Sequence, residues 1–87
     1  MKLKVTVNPN PFTSELAVFI HGYFTVNTVL RLINSTGTVI RVTSYTVNQG
    51  ENEIKIDKLG RYATGDYFLE VKLLNGDLLE KISLVKT

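Results

Sequence analysis

GDYFLEVKLLNGDLLEKISLVK, residues Gly65 to Lys86, carries the clearest local structure in the chain. Tyr67, Leu69, Val71 and Leu73 alternate with Phe68, Glu70, Lys72 and Leu74, a period of two that sets one apolar row on one face of a strand. Asn75-Gly76 then reads as a two-residue turn. A type I′ turn requires positive φ at both central residues, and Asn-Gly supplies that at least steric cost. Such a loop places Leu73 opposite Leu78, Leu69 opposite Ile82 and Tyr67 opposite Leu84. Glu70 then faces Lys81 as a cross-strand ion pair worth roughly 0.2–1 kcal/mol. The same register sets Glu80 opposite Val71 on the apolar face, which requires a rim position or a bulge there.

The preceding residues supply the rest of the sheet structure. Leu3, Val5 and Val7 alternate with Lys2, Lys4 and Thr6, a short strand that stops at Asn8-Pro9-Asn10-Pro11-Phe12. Each proline fixes φ and removes a donor, so this segment leaves the ladder and crosses an edge or bridges between sheets. Phe12 is the expected plug pinning that crossing to the core. Leu16, Val18 and Ile20 form one face of a second strand ending near His21-Gly22. A third runs from about Val26 to Asn34, followed by a Ser35-Thr36-Gly37 turn and the β-branched stretch Val39 to Val47. Asn48-Gln49-Gly50 turns the chain again, and Ile54 and Ile56 alternate with Glu53, Lys55 and Asp57. Residues 59–64 form an irregular connection. About seven short strands, with turn signals at intervals of roughly 8–12 residues, predict an all-β, immunoglobulin-like antiparallel sandwich. It lacks the Cys–Trp–Cys core of antibody domains, since the chain has neither residue type.

Composition sets the outer limits. The 87 residues make a single domain, 1–87, and 44% hydrophobic with 21% charged residues is ordinary for a globular chain. Without cysteine there is no disulfide framework, thiolate metal site or cysteine nucleophile. A net charge of +2 spread over scattered basic residues does not argue for nucleic acid. No segment approaches the roughly 18 apolar residues of a membrane span. The opening MKLKVTV also lacks the apolar core of a secretory leader, so the chain is read either as cytoplasmic or as one piece of a longer protein.

Catalytic chemistry finds no foothold in this reading. The single histidine, His21, is expected to be a partly exposed strand-end residue. Asp57, Asp66, Glu70, Asp77 and Glu80 are spread over several elements, and no nucleophile elbow, metal-ligand spacing or phosphate loop is present. No catalytic residue, metal or cofactor is assigned. Tyr23, Phe24, Tyr45, Tyr62, Tyr67 and Phe68 could serve as sugar platforms, but aromatic residues in so small a domain are chiefly core and hairpin packing. Asn34-Ser35-Thr36 fits a glycosylation acceptor and, more simply, a polar turn.

Three stretches together resemble one family. VNPNPFTSEL is similar to the Pro-Asn-Pro-Phe entry of the C-terminal sorting domains of the bacterial type IX (Por) secretion system. VLRLINSTGTVI resembles that family's middle hairpin. LGRYATGDYFLEVKLLNGDLLEKISLVK resembles its closing signature, with Gly65 and Tyr67, then Gly76, then Lys81, Ile82, Leu84, Val85 and Lys86. The likeness runs from Val5 to Lys86. Thr38 stands where the family often has lysine, Thr87 ends a chain that often ends in basic residues, and Gly60–Ala63 lengthens the approach to Gly65.

The resemblance implies a non-catalytic label at the C-terminus of a larger exported protein of Bacteroidota. The parent would reach the periplasm by the general secretory route, with its leader at a distant N-terminus, and then cross to the cell surface or medium. Implied partners are the type IX translocon, a sortase-like surface peptidase and the cargo domains upstream. Pro9, Pro11, Phe12, Gly65, Tyr67, Gly76, Lys81, Ile82, Leu84, Val85 and Lys86 are the suspected recognition residues. The last strand is further expected to offer unpaired backbone groups for strand addition by a partner. An immunoglobulin-like adhesion or carbohydrate-binding module of a surface protein, or a structural spacer, remains the alternative at this stage.

Overall fold

The computed structural model describes residues 3–87, so Lys2 of the first expected strand lies outside the described residues. The described residues form seven strands: β1 (Lys4–Asn8), β2 (Leu16–Gly22), β3 (Val26–Asn34), β4 (Val39–Val47), β5 (Gly50–Ile56), β6 (Gly65–Leu73) and β7 (Leu78–Lys86). They divide into a three-stranded sheet, order β1-β2-β5, and a four-stranded sheet, order β4-β3-β6-β7. Every strand pair is antiparallel. The architecture is the expected immunoglobulin-like sandwich.

Alternation produces the core. Leu16, Val18 and Ile20 of β2 and Ile54 and Ile56 of β5 face Leu30 and Leu32 of β3, Tyr67, Leu69 and Val71 of β6 and Leu84 of β7, all buried. Leu3, Phe12, Val47 and Leu59 close the ends of this layer. Burying a side chain of this kind stabilises the fold by about 1.5–3 kcal/mol, and the two inner faces hold most of them. The buried polar groups are satisfied as well: Asn52 on β5, 5% exposed, donates to the carbonyls of Ile20, Asn48 and Gly50 and accepts from the Asn48 amide and the Tyr45 hydroxyl.

The closing hairpin keeps its expected register along most of its length and departs from it at the turn. Tyr67 pairs with Leu84, Leu69 with Ile82, Glu70 with Lys81 and Val71 with Glu80, as alternation requires. The register then shifts, and Leu78 pairs with Lys72 instead of Leu73. The loop is not a two-residue type I′ turn. The Leu73 amide bonds the Asp77 carbonyl (2.9 Å) and the Gly76 amide bonds the Leu73 carbonyl (2.9 Å), so Leu74, Asn75 and Gly76 together form the loop. Gly76 has φ 97°, and Asn75 does not have positive φ. A type I turn followed by one left-handed residue needs glycine only at that last position. The extra residue on β7 absorbs the shift, which is the bulge that the position of Glu80 on the apolar face required. Gly76→Ala should cost about 1–2 kcal/mol, the penalty of a Cβ in the left-handed region, measured as a shift in the urea midpoint. Asn75→Ala should cost less.

The β3–β4 connection repeats this construction. The Asn34 amide bonds the Thr38 carbonyl (2.9 Å) and the Gly37 amide bonds the Asn34 carbonyl (3.0 Å). The Asn34 side-chain oxygen accepts from the amides of Thr36 and Thr38. Asn34-Ser35-Thr36 is thus a polar turn, with asparagine in the Asx role that favours it there.

Candidate recognition surface

The two ends of the chain are locked together. After β1 the chain leaves the small sheet through cis Asn8-Pro9 and Asn10-Pro11 peptide bonds and lies beside the end of β7. Phe12 bridges to Lys86 in parallel. The Phe12 amide donates to the Val85 carbonyl (2.9 Å), and the Thr87 amide donates to the Phe12 carbonyl (2.8 Å). Pro9 and Pro11 have no N–H to contribute, and the Asn10 side chain takes over that role. Its Nδ2 donates to the Ser83 carbonyl (3.3 Å) while its Oδ1 accepts from the Val85 amide (3.0 Å). One primary amide thereby stands in for a residue of a neighbouring strand.

This latch corrects one expectation. The outward backbone groups of β7 from the Ser83 carbonyl to the Thr87 amide are occupied from within the chain, so this part of the last strand does not offer a free edge.

The suspected recognition residues separate into two kinds. Phe12, Tyr67, Leu84 and Lys86 are buried and Ile82 is half-buried, whereas Pro9, Pro11, Gly65, Gly76, Lys81 and Val85 are exposed. Phe12 is the expected plug, 1% exposed and edge-on to the Tyr67 ring at 5.7 Å. The Tyr67 hydroxyl donates to the Ala63 carbonyl (2.5 Å), the bond that fixes a tyrosine corner at the start of a strand. Gly65, with φ 137°, turns the chain into that corner. The Gly65-x-Tyr67 signature therefore builds the fold. Tyr67→Phe should cost about 1–2 kcal/mol in urea or thermal unfolding, because the Ala63 carbonyl loses its donor while the ring keeps its packing.

Lys86 is the residue that sequence reasoning placed least well. Alternation along β7 turns Ile82, Leu84 and Lys86 inward, and Lys86 is 4% exposed. Its stem fills the end of the core beside Phe12, and its ammonium reaches the Thr87 carbonyl at 3.5 Å, the behaviour of an amphipathic chain at an apolar rim. Lys81, by contrast, is on the outer face. It does not form the expected ion pair with Glu70 but lies 4.7 Å from the centre of the Phe68 ring. Glu70 is approached instead by Arg31 (3.4 Å) and Lys72 (3.9 Å). Arg31, Lys72 and Lys81 thus share this face with two carboxylates, Glu70 and, directly across from Val85, Asp66, which leaves a surplus of one positive charge beside the apolar surfaces of Phe68 and Val85.

Other features lie away from this face. His21 Nδ1 is 2.5 Å from Glu51 Oε1 and its ring is edge-on to Tyr23 at 5.0 Å. Lys4, Thr6 and Phe19 complete a shallow groove of about 570 Å³ there. In the connection before β6, the Arg61 guanidinium donates to the Tyr62 hydroxyl. This bond holds the phenol below its usual pKa and raises that of the guanidinium. Among the described residues no three His, Cys, Asp or Glu side chains gather as a metal site, and no helix is long and apolar enough to cross a membrane.

A tyrosine corner, a proline-rich latch and an exposed flank carrying Lys81 and Val85 characterise this seven-stranded β-sandwich. The sequence matches the secretion system C-terminal sorting domain family over residues 6–85, and the chain belongs to that family. It is a sorting-signal domain of type IX secretion, and the family's role is not catalytic. Comparison with curated proteins gave no significant match. Among solved structures, the chain is similar to part of a Bifidobacterium adolescentis GH3 beta-glucosidase, with 12% identity and a TM-score of 0.56. That alignment covers 98% of this chain and 17% of the other. At that identity the likeness concerns the fold alone.

Proposed function

We propose that this domain is the C-terminal label of a larger exported protein, carried through the periplasm and read by the type IX translocon at the outer membrane. The cargo lies upstream, its destination is the cell surface or the medium, and a sortase-like surface peptidase removes the label. The observation that carries this reading is the family match over nearly the whole chain. The latch supports it physically. A label must fold independently of its cargo, and a domain whose N-terminal segment is bonded to its last strand does so without outside help.

The readable part of the signature is its exposed part: Pro9 and Pro11 on the latch, and Lys81 and Val85 on the outer flank of β7. Phe12, Tyr67, Leu84 and Lys86 act by holding that surface in shape. Residues 1–87 fused behind a periplasmic reporter, in a host with this system, should carry the reporter to the surface or medium. Retention of the wild-type fusion in the periplasm would overturn the reading. Lys81→Gln combined with Val85→Thr removes a positive charge and apolar surface at two exposed positions, without setting like charges opposite Glu70 and Asp66 across the strand pair. It should reduce surface delivery severalfold with little change in thermal unfolding, because exposed substitutions usually shift stability by no more than about 0.5 kcal/mol. Undiminished delivery by this variant would move recognition elsewhere on the sandwich. Substituting Lys86 gives no such separation, since it disturbs the core as well.

A further inference from the structure

The two edges of the four-stranded sheet are treated differently. On β7 the latch occupies the outward groups from the Ser83 carbonyl onward, and the Lys81 amide is met by the Glu80 side chain at 3.3 Å. On β4, none of the backbone bonds made outside the ladders among the described residues reaches Arg41–Val47. The group that does cover this edge is the Tyr62 hydroxyl, which donates to the Ile40 carbonyl at 3.3 Å. The open stretch is therefore Arg41–Val47. It has β-branched or hydroxyl side chains at most positions, a single charge and no proline. Natural edges are usually short, charged or covered, and this one is none of these. The outer edges of the small sheet are protected, β1 by its five-residue length and β5 by Glu51, Glu53 and Lys55.

The hydrogen-bond alternation shows which groups are free. Val85 points its N–H and C=O away from the sheet, toward the latch, and Leu73 bonds across to Asp77. The odd-numbered residues of β6 thus bond β7, and its even-numbered residues bond β3. Lys72, Glu70 and Phe68 pair with Val29, Arg31 and Ile33, which leaves Thr28, Leu30 and Leu32 to bond Tyr45, Thr43 and Arg41. On β4 the groups facing the open side are those of Val42, Ser44 and Thr46.

We propose that this edge receives a second copy of the same chain. The two β4 strands pair antiparallel about a two-fold axis at Ser44 and join two four-stranded sheets into one continuous sheet. Ser44 is the midpoint of Arg41–Val47, so this axis engages the whole open stretch. Ser44 pairs with its own copy and Val42 with Thr46, which uses every outward amide and carbonyl. Thr43 meets Tyr45 and Arg41 meets Val47 on the other face. β-branched and aromatic cross-strand pairs of this kind are favourable, and no like charges are opposed. The edge is complementary to itself. An isologous contact of this type closes at two copies. One strand pair buries less than the roughly 1,000 Å² of a stable interface, so the dimer is weak and forms at high protein concentration.

The absence of cysteine from the chain permits a direct test of register. Ser44→Cys places two thiols across the axis on backbones about 5.5 Å apart, the spacing of a hydrogen-bonded antiparallel pair, which a disulfide can span. Val42→Cys lies on the same face, yet its copy sits four residues away along the partner strand, roughly 13 Å distant. Ser83→Cys reports on the latched edge. At concentrations where sedimentation of the wild type shows a dimer that dissociates on dilution, Ser44→Cys should oxidise to a covalent dimer at least about tenfold faster than either control, because pairing holds its thiols together. Ser44→Pro removes one outward amide without touching the β3 ladder, and should abolish the dimer with the unfolding midpoint unchanged. Equal oxidation rates among the three cysteine variants would overturn the proposal, as would a wild type that stays monomeric up to about 1 mM, a concentration that detects association worth only about 4 kcal/mol.

Discussion

Phe12→Ala is expected to destabilise the domain by about 3–5 kcal/mol, the usual cost of emptying a buried aromatic site. A chain of this length has a total stability of only about 5–15 kcal/mol, so a substantial fraction of the fold's margin is lost. Phe12 is 1% exposed and among the largest fully buried side chains. Its ring packs edge-on to Tyr67, and its backbone amide and carbonyl hold Val85 and Thr87. Truncation leaves a cavity beside the tyrosine corner and loosens the latch at the same time. Asn10→Ala provides the contrast. It removes the Ser83 and Val85 partners without making a cavity and should cost about 1–2 kcal/mol, since water can reach that exposed edge. Urea titration of both variants measures the difference. Equal losses would show that the latch is held by its hydrogen bonds and not by the buried ring.

The strands were legible because each inner face is buried against another sheet, which forces an apolar residue at every second position. Leu69 and Val71 or Ile54 and Ile56 announce themselves in that way. The hairpin turn was less legible. Asn75-Gly76 suits a two-residue loop and also the last two positions of a three-residue loop, and the choice depends on where β7 can place its bulge. Lys86 was hard to place for a related reason. Alternation along β7 puts it inside, but a lysine is assigned to the surface by its charge, although its long stem can fill an apolar rim while the ammonium finds a carbonyl. Asn10 gave no signal beyond a loop, because a side-chain amide replacing a strand residue leaves no mark in a periodic pattern. The recognition residues inherited this mixture: a signature read as one string divides, in three dimensions, into Phe12, Tyr67 and Leu84 inside and Lys81 and Val85 outside.

Asn52 supplies the second large effect, and one with a distinctive pH dependence. Its amide nitrogen is aimed at three carbonyls, those of Ile20, Asn48 and Gly50, and its oxygen receives the Asn48 amide and the Tyr45 hydroxyl. Asn52→Ala strands several of these groups at a site 5% exposed and should cost about 2–4 kcal/mol. Asn52→Asp keeps the shape and the accepting oxygen but turns a second oxygen toward the three carbonyls. An ionised carboxylate there is buried and its second oxygen meets only acceptors, which the Asn48 amide and Tyr45 hydroxyl on its first oxygen offset only in part, so the folded state favours its protonated form and raises its pKa above the unfolded value of about 3.9. The folded protein then binds the extra proton more tightly. The variant therefore comes closest to wild-type stability below the unfolded pKa and loses that recovery as pH rises through the folded one. The gap in unfolding free energy between wild type and Asn52→Asp should narrow on acidification from about pH 7 to about pH 3.5, the opposite of the trend for a carboxylate held by a salt bridge. The same gap for Asn52→Ala should stay nearly constant. A pH-independent gap for both would mean that the aspartate turns away from the carbonyls, and that the turn joining β4 to β5 is held by its backbone without them.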